Sequence, residues 1–519
     1  MMDTLPRAEP QDRLTDPAVL LAMLDEIERQ DIELHSLLIW QEDALVTEAY
    51  WAPFAADRPH MMHSVTKSFT SVAVGLAVGE GLMSVDDTVM SFFPEHAGIN
   101  PAPNLQAMRV RHLLTMTSGH DRGISGGAWR RLKTSWIADF LRQPVPYEPG
   151  TVFVYDSAAS YMLSAIVQRV TGRPVHDYLD EKIFRPMSMS PSMTWDVGPD
   201  GVNTGGNGMS CTALDMLKLG ILHLQGGAWQ GRQLLPRQWV ADATALQVRD
   251  VVLGVFTGDH YLGPGEEGDG SPAARREGYG YQWWRGPHNS FSANGLFGQY
   301  CIVLPEQKAV VAFTGGLADS DRRVHSLIYD HLRPALGAGV SASGRAGASL
   351  PARLAGLSLK TQPGVVRNAC AGNDAYGVYR IAENDQHVSR IAILPISGGV
   401  EILLEDADGQ HRIHAGFGRW IEAMTTMPGA RLHHSYQPEG GLRILACARW
   451  LPLVEESHVL EMDWVFVETA FRDTVRLYFH EGDLRMTRKV NVNSMETHLP
   501  DLTGRFVAQV PAMGDRDYA

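Results

Sequence analysis

The stretch Pro59-His-Met-Met-His-Ser-Val-Thr-Lys-Ser-Phe-Thr70, followed by an apolar run to Gly79, decides how the rest of the chain is interpreted. Within it, Ser64 and Lys67 are three residues apart. If the chain is helical from residue 64 onward, the two side chains share one face and the amine reaches the hydroxyl. A serine hydroxyl is a poor nucleophile near neutral pH, and a partly desolvated lysine eases removal of its proton. The spacing therefore predicts an activated serine at a helix N-terminus, where the helix adds positive potential.

Length and charge narrow the classes of protein to which the chain can belong. At 519 residues it is too long for one ordinary core, and an apolar content of 44% is enough for two domains. The net charge is −14, and no Lys/Arg-rich run or stripe is present. Nucleic acid is therefore excluded as the main partner.

The number and spacing of the cysteines and the composition of the N-terminus indicate the cellular compartment of the protein. The four cysteines, Cys211, Cys301, Cys370 and Cys447, are far apart, fit no metal spacing and are too few to staple a chain of this size. The N-terminus lacks the basic region and apolar core of a signal peptide. No apolar stretch reaches about 18 residues, the length of a membrane span. These features predict a soluble, cytoplasmic protein with no membrane partner.

Strand patterns at both ends of a helical region predict an α+β fold with one sheet assembled from distant parts of the chain. The strand patterns lie at 34–50, 279–286, 291–304 and 308–314, and the helical patterns at 17–30 and 110–240.

A change of composition marks a domain boundary after the helix predicted at Val324–Leu332. Residues 337–349 are too small and polar to build a core. Beyond about residue 370 the pattern becomes short alternating segments separated by Gly, Asp and Asn turns, which favours an antiparallel barrel or sandwich. We expect a first domain at 1–336, a linker at 337–369 and a second domain at 370–519.

A second segment with suitable chemistry is Gly150-Thr-Val-Phe-Val-Tyr155-Asp-Ser157, at the start of a predicted helix. A phenol held beside a lysine has a lowered pKa, so Tyr155 can act as the general base for Ser64 and later as an acid. The alternative is a core tyrosine that packs at the helix start.

A third segment, Ser290-Phe-Ser-Ala-Asn-Gly-Leu-Phe-Gly-Gln-Tyr300, is interpreted as an edge strand with glycines. Glycines such as Gly295 let a backbone approach a bound substrate closely. An N–H group from Ser292 to Asn294 can then join the N–H of Ser64 in an oxyanion hole. A plain glycine-rich turn is the alternative.

Taken in this order, the three segments resemble those of the class C β-lactamase and penicillin-binding-protein superfamily of serine hydrolases. Intervening segments, among them His112-Leu-Leu-Thr-Met-Thr-Ser-Gly119 and Gly205-Gly-Asn-Gly-Met209, resemble the same family, over roughly residues 30–335. The resemblance implies an antiparallel sheet flanked by helices with an all-helical subdomain, and an active site between them. It also implies an acyl-enzyme on Ser64, with Lys67 and Tyr155 catalytic, Ser157, Asn294 and Gly295 supporting, and no cofactor or metal.

Two departures from the family pattern concern its second and third motifs. Ser157 stands where the family often has Asn, as in esterase and aminohexanoate-oligomer hydrolase relatives. A Lys-Thr-Gly motif is missing, and alignment on Gly298-Gln-Tyr places Ser290-Phe-Ser292 there. Because that lysine usually holds the β-lactam carboxylate, Arg285 or His288 is a candidate substitute.

The C-terminal part, 370–519, resembles the lipocalin-like barrel of some D-aminopeptidase-type, esterase-type and peptide-cyclising relatives. The resemblance implies that this barrel covers the catalytic cleft or stabilises a homodimer, and a purely structural role is the alternative.

Other motifs in the chain support catalysis less well. Gly123-Ile-Ser125-Gly-Gly127 has the Gly-x-Ser-x-Gly form, but no buried strand precedes it, as a nucleophile elbow requires. The histidine pairs His60 and His63, and His433 and His434, lack the spaced carboxylate of a zinc site.

The leading hypothesis is a cofactor-free serine hydrolase that acts on small esters, amides or peptides through Ser64, Lys67 and Tyr155. Two alternatives stay open at this point. One is acyl transfer to an amine, as in related peptidases and peptide cyclases, and the other is a non-catalytic binding protein with the same fold.

Overall fold

The computed structural model describes residues 5–13, 15–99, 102–254, 260–263, 275–318, 322–339, 344–360, 375–434, 440–454, 457–494 and 496–509. The chain forms two compact units, Met1–Leu357 and Ser358–Ala519. Their division lies inside the stretch 337–369, which we had expected to be a linker. Residues 344–355 of that stretch form a helix, and its Arg353 forms an ion pair with Glu28 of the first unit. Residues 361–374 lie outside the described ranges.

The helices of the first unit surround and cover its sheet. No helix among the described residues is long and apolar enough to span a membrane. In chain order the helices are α1 (Pro17–Arg29), α2 (Thr66–Gly79), α3 (Pro103–Ala107), α4 (Val110–Leu114), α5 (Gly127–Arg130), α6 (Trp136–Arg142), α7 (Ser157–Thr171), α8 (Val175–Leu179), α9 (Ala213–Leu224), α10 (Arg237–Thr244), α11 (Arg323–Ser326), α12 (Arg333–Ala335) and α13 (Gly344–Ala355). The helix predicted at 17–30 is confirmed by α1, and α4 to α10 occupy the predicted helical middle.

The main sheet of this unit is antiparallel and has the strand order β2-β1-β13-β12-β11-β10-β9-β8. It joins the N-terminal strand pair to strands from the other end of the unit, as the sequence predicted. The strands are β1 (Leu34–Gln41), β2 (Ala44–Tyr50), β3 (His60–Met61), β4 (Thr194–Trp195), β5 (Met209–Cys211), β6 (Ala228–Trp229), β7 (Arg232–Gln233), β8 (Val248–Val252), β9 (Arg275–Tyr279), β10 (Trp284–Arg285), β11 (Phe291–Gly295), β12 (Gln299–Leu304) and β13 (Ala309–Gly315).

The strand predicted at 291–304 is wrong as a single strand, because it is a hairpin of β11 and β12. Phe297 and Gly298 have φ angles of 62° and 93°, which an extended strand cannot contain. The buried amide of Gln299 donates to the carbonyl oxygens of Leu296 and Phe297 at 3.1 and 3.0 Å, and so holds the turn.

Helix α2, which carries Lys67, lies at the centre of the helical region. Its sequence TKSFTSVAVGLAVG is apolar or small on every side, and nearly every residue is buried. A helix without a polar face is stable only when surrounded. Here α7, α8 and α10 pack around it. Gln282 ties the layers together, because its side-chain oxygen accepts from Ser160 of α7 and its backbone carbonyl accepts from Ser68 of α2, both at 2.7 Å.

The second unit is a closed nine-strand antiparallel barrel, apart from one short parallel pairing between β17 and β19 that closes it. An additional strand, β18, pairs with β19. The predicted antiparallel barrel is confirmed. Its strands are β14 (Gly377–Ile381), β15 (Arg390–Ile396), β16 (Gly399–Asp406), β17 (Gly409–Phe417), β18 (Ile421–Thr425), β19 (Leu442–Val454), β20 (Ser457–Phe466), β21 (Arg472–His480), β22 (Asp483–Val490) and β23 (Leu502–Ala508).

A buried ion cluster lies within this barrel unit. Asp473 accepts hydrogen bonds from Arg488 Nε at 2.7 Å and lies 2.9 Å from His433 Nε2. Burial alone would raise the pKa of Asp473, but His433 and Arg488 more than offset that effect and lower it. A carboxylate is tolerated in such a place only when it is paired in this way.

We predict that Gly75→Ala destabilises the first unit. A Cβ atom at Gly75 would lie 2.3 Å from Cδ1 of buried Trp239 on α10. In an exposed helix, replacing Gly by Ala stabilises the protein by about 1 kcal/mol. Forced overpacking costs about 1–3 kcal/mol, so we expect the overlap with Trp239 to lower the stability of this variant. Urea denaturation followed by circular dichroism should show a lower midpoint than for wild type. Gly98→Ala, where a Cβ meets nothing within 4 Å, is the matched control; a higher midpoint for Gly75→Ala would contradict the packing argument.

Candidate active site

Ser64 lies in a 3-10 turn, His63–Val65, that leads directly into α2. His63 has a φ of 47°, a left-handed conformation that is rare for residues other than glycine. The surroundings hold it there, since Thr66 Oγ1 donates to the carbonyl of His63 at 2.6 Å and Met62 N donates to Met209 O at 2.9 Å. Strained backbone of this kind persists only where neighbouring contacts fix it, and it is common at functional sites.

Lys67 contacts three oxygen atoms from three parts of the chain. Its Nζ lies 3.0 Å from Ser64 Oγ, 2.8 Å from Ser157 Oγ and 2.8 Å from the carbonyl oxygen of Gly206. The side chain is 1% exposed. The structure thus brings Ser64, Lys67 and Ser157 together as the sequence predicted.

The environment of Lys67 favours its uncharged form. Desolvation by burial lowers its pKa well below the usual 10.5, the charge of Arg130 lowers it further, and Asp156 opposes the shift. A protonated amine has three donors and no acceptor, whereas a neutral amine has two donors and a lone pair. Since the Gly206 carbonyl can only accept, the neutral amine still has its lone pair available for the hydroxyl of Ser64.

Tyr155 forms one wall of the site. Lys67 Nζ lies 4.7 Å from the centroid of its ring. The ring stacks on Trp284 at 5.3 Å and meets Tyr261 edge-on at 5.2 Å. The predicted tyrosine is therefore next to the lysine, in a buried aromatic cluster.

Asp156 and Ser125 fix the backbone that carries Ser157. Asp156 Oδ1 accepts from the N–H groups of Ser125 and Ala158 at 3.1 and 2.9 Å, and so caps α7. Ser125 Oγ donates to the same carboxylate oxygen and accepts from the N–H of Ser157 at 3.0 Å. Ser125 is buried and bound on both sides, so the Gly-x-Ser-x-Gly match is a structural element beside the site.

The end of β11 lies against the turn that carries Ser64. A Cβ atom at Gly295 would lie 2.3 Å from the carbonyl oxygen of Met62 and 3.3 Å from Cβ of His63. The pairing of β10 with β11 reaches only Ser292, so in the described structure residues 293–295 pair with β12 alone. This edge includes Asn294, one of the residues Ser292 to Asn294 for which a backbone N–H facing the substrate is predicted, and Gly295 makes the predicted close backbone approach.

The structure does not bring Arg285 or His288, the candidate substitutes for the third-motif lysine, to this end of β11. His288 is exposed in the turn between β10 and β11, at the Phe291 end of the strand. Gly295 is at the other end, about 13 Å away at the rise of a strand. Arg285 pairs with Phe291 and donates to Thr244 O and Asn289 Oδ1. The alignment that placed Ser290–Ser292 at the third motif is likewise offset, because Gly295 is the residue that meets the turn.

Other nucleophiles and metal ligands are poor candidates in the described part of the chain. Burial raises the pKa of the three described cysteines, Cys211, Cys301 and Cys447, so their thiolates are disfavoured. The described residues contain no group of three or more His, Cys, Asp or Glu side chains that could hold a metal ion.

The geometry agrees with a comparison to known families. Residues 24–328 match the model of the family described as Beta-lactamase. The chain belongs to the Beta-lactamase family. The main sheet, helices α2 to α11 and the turn that carries Ser64 lie within the matched residues.

Two of the relatives that the chain resembles are named as hydrolases, and a solved structure is similar to part of it. The 6-aminohexanoate-dimer hydrolase of Paenarthrobacter ureafaciens is 27% identical over 61% of this chain and 81% of its own length. The esterase EstB of Burkholderia gladioli is 30% identical over 26% of this chain and 38% of its own length. A penicillin-binding-protein homologue from Caulobacter crescentus has a TM-score of 0.49 and 18% identity, over 62% of this chain and 97% of its own.

Two parts of the site were not predicted from the sequence. The carbonyl of Gly206, which accepts from Lys67, comes from a segment noted only for its resemblance to the family. Arg130, whose charge acts on Lys67, lies in α5, and no pattern in the sequence pointed to it. One of two adjacent arginines, Arg130 and Arg131, looks like any surface residue until the fold partly buries it.

We predict that Gly295→Ala displaces the turn and lowers reactivity at Ser64 while leaving the fold intact. The added Cβ would press on a backbone oxygen, which cannot rotate away as a side chain can. Misplacement of a reacting group by about 1 Å can cost about a hundredfold. The rate of labelling by a fluorophosphonate should therefore fall at least about tenfold relative to Gly98→Ala. An unchanged rate in a folded variant would show that this edge does not shape the site.

Proposed function

We propose that this member of the Beta-lactamase family is a serine hydrolase that cleaves small esters or amides through an acyl-enzyme on Ser64. The observation that carries the proposal is the desolvated amine of Lys67, 3.0 Å from Ser64 Oγ. A surface lysine would be protonated and unable to accept a proton at neutral pH. Burial among Ser157, Gly206 and the ring of Tyr155 supplies the neutral amine that a serine nucleophile requires.

In the proposed acylation step, Ser64 Oγ bonds to the carbonyl carbon of the substrate as its proton passes to the lone pair of Lys67. The carbonyl π electrons move to oxygen, and the backbone N–H groups of Ser64 and of the β11 edge stabilise that charge. Collapse of the tetrahedral intermediate breaks the bond to the leaving group, which takes the proton from Lys67. Water then repeats the steps with the acyl-enzyme, releasing the acid and restoring Ser64.

Tyr155 has a supporting proton-transfer role in this proposal. Its ring packs against Lys67 Nζ and is held by Trp284 and Tyr261, so the phenol is fixed relative to the amine. A fixed phenol beside the amine can relay the proton between Lys67 and the leaving group. The names of the relatives, a dimer hydrolase and an esterase, support small amides and esters as the substrate class. The missing Lys-Thr-Gly lysine argues against β-lactams.

The first test is covalent labelling. After incubation with a fluorophosphonate, intact-mass spectrometry and peptide mapping should place one label on Ser64. Ser64→Ala should abolish it, and Ser192→Ala, at an exposed serine, should leave it unchanged. p-Nitrophenyl butyrate should release nitrophenol only where Ser64 is present. A label on Ser125, or no label on folded wild type, would overturn the proposal, and the second outcome would favour a non-catalytic binding protein.

The second test concerns Lys67 and pH. Hydrolysis needs the neutral amine, so the rate should be lost as the pH falls through the lowered pKa of Lys67 and should be fully present above it. Lys67→Arg, which keeps a permanent cation, should lower kcat by at least about a hundredfold, and Tyr155→Phe by a similar factor. Hydrolysis of p-nitrophenyl butyrate, followed across a range of pH, measures both the pH dependence of the wild-type rate and the kcat of the two variants. Near-normal turnover in either folded variant would remove that residue from the mechanism.

A further inference from the structure

Arg130, the last residue of α5, is a partly buried cation that the proposed mechanism does not use. Its Nε is buried and has no hydrogen-bond partner in the described structure. No other described residue forms a hydrogen bond or ion pair with the guanidinium. A buried N–H group without an acceptor is unfavourable, and a ligand oxygen that accepts from Nε would remove that cost.

The segment that carries Arg130 follows the wall of the active site. Gly123 N donates to Tyr261 O at 3.0 Å, and a Cβ atom at Gly123 would lie 2.8 Å from Tyr155 O. Ser125 then bonds to Asp156 and to the backbone of Ser157, as described above. Arg130 is therefore five residues from a serine that contacts the Tyr155–Ser157 motif.

Packing holds the end of α5 in place, and the charge of Arg130 reaches Lys67. Trp129, the preceding residue, packs on Trp136 at 4.1 Å between ring centroids, which fixes the end of α5. The charge of Arg130 acts on Lys67, and it is itself influenced by Tyr261 and Asp196. With the amine of Lys67 uncharged, Arg130 is a positive charge that acts on the site in a protein whose net charge is −14.

Asp196 is the described carboxylate with which Arg130 interacts electrostatically, but it is a weak competitor for the guanidinium. Asp196 is exposed to solvent, and among the described residues no hydrogen bond or ion pair joins it to Arg130. Asp196 is held by its backbone, since its N–H donates to Gly208 O at 2.9 Å. An ionised carboxylate from a ligand matches the planar fork of an arginine, with two parallel charge-assisted hydrogen bonds.

We propose that Arg130 binds a carboxylate of the substrate, so that the enzyme prefers monoanionic esters or amides to neutral ones of the same size. This inference rests on the proposed function, because it assigns the substrate class of the same site. Arg130 is a recognition residue in this proposal and takes no proton from the reacting atoms.

The experiment compares matched esters that carry the charge on either side of the scissile bond. Mono-p-nitrophenyl glutarate and p-nitrophenyl butyrate differ in a carboxylate on the acyl chain. 4-Butyryloxybenzoate and its methyl ester differ in a carboxylate on the leaving group. Wild type should prefer the anion in at least one pair by about tenfold in kcat/KM, the scale of a bidentate charged contact.

Arg130→Gln should remove that preference mainly through KM, and Arg130→Lys should restore part of it. Arg131→Gln, at the exposed neighbouring arginine, is the matched control and should keep the preference. An equal loss on anionic and neutral esters in Arg130→Gln would overturn the inference and assign Arg130 to the electrostatics of Lys67. So would an absence of preference in wild type.

A measurement on wild type covers the case in which Arg130→Gln fails to fold. Glutarate should slow fluorophosphonate labelling of Ser64, and uncharged glutaramide should not; equal effects would contradict carboxylate recognition. The uncharged label separates the two proposals. If Ser64 is not labelled, the proposed serine hydrolase function is rejected. If Ser64 is labelled normally but the enzyme shows no preference for carboxylates, only the proposed role of Arg130 is rejected.

Discussion

The contact between Lys67 Nζ and Ser64 Oγ is the constraint on which the rest of the first unit depends. It requires an amine that has lost its water and still has polar partners, because a buried amine without them would be far too costly. The fold meets this requirement by burying α2 on all sides and supplying Ser157 Oγ and the Gly206 carbonyl at 2.8 Å each. Placing those two oxygens fixes where α7 and the segment around Gly206 must run. A helix that is apolar on every side is the form of α2 that permits this burial.

Close backbone approach is the second constraint. Gly295 leaves room for the Met62 carbonyl, so the edge of β11 comes up against the turn of the nucleophile. The chain has no lysine at the family's third motif, so recognition of a charged substrate has to come from another residue. We have proposed Arg130 for this role, since its charge acts on Lys67 and it belongs to an element outside the three motifs. On that proposal, the charge partner of a substrate changes position within the fold while the nucleophile and its lysine stay.

The second unit solves a different physical problem. Its nine strands close on themselves, which leaves few unpaired edges, and the antiparallel register allows short turns between strands. Charged groups such as Asp473 are tolerated within it because His433 and Arg488 pair with both carboxylate oxygens. The alternation seen in the sequence predicted the barrel, but paired ions at buried positions interrupt such a pattern.

The sequence by itself determined the family, the two-part organisation and the group formed by Ser64, Lys67, Tyr155 and Ser157. Those features depend on local spacing, on a helix start and on periodicity, which a single chain displays directly. Only the tertiary structure decided which residues from distant segments complete the site. It turned residues 291–304 into a hairpin, put Gly295 against Met62, placed His288 in an exposed turn and brought the charge of Arg130 to act on Lys67. The reason is that burial and through-space charge depend on which segments pack together, and spacing along the chain carries no record of that.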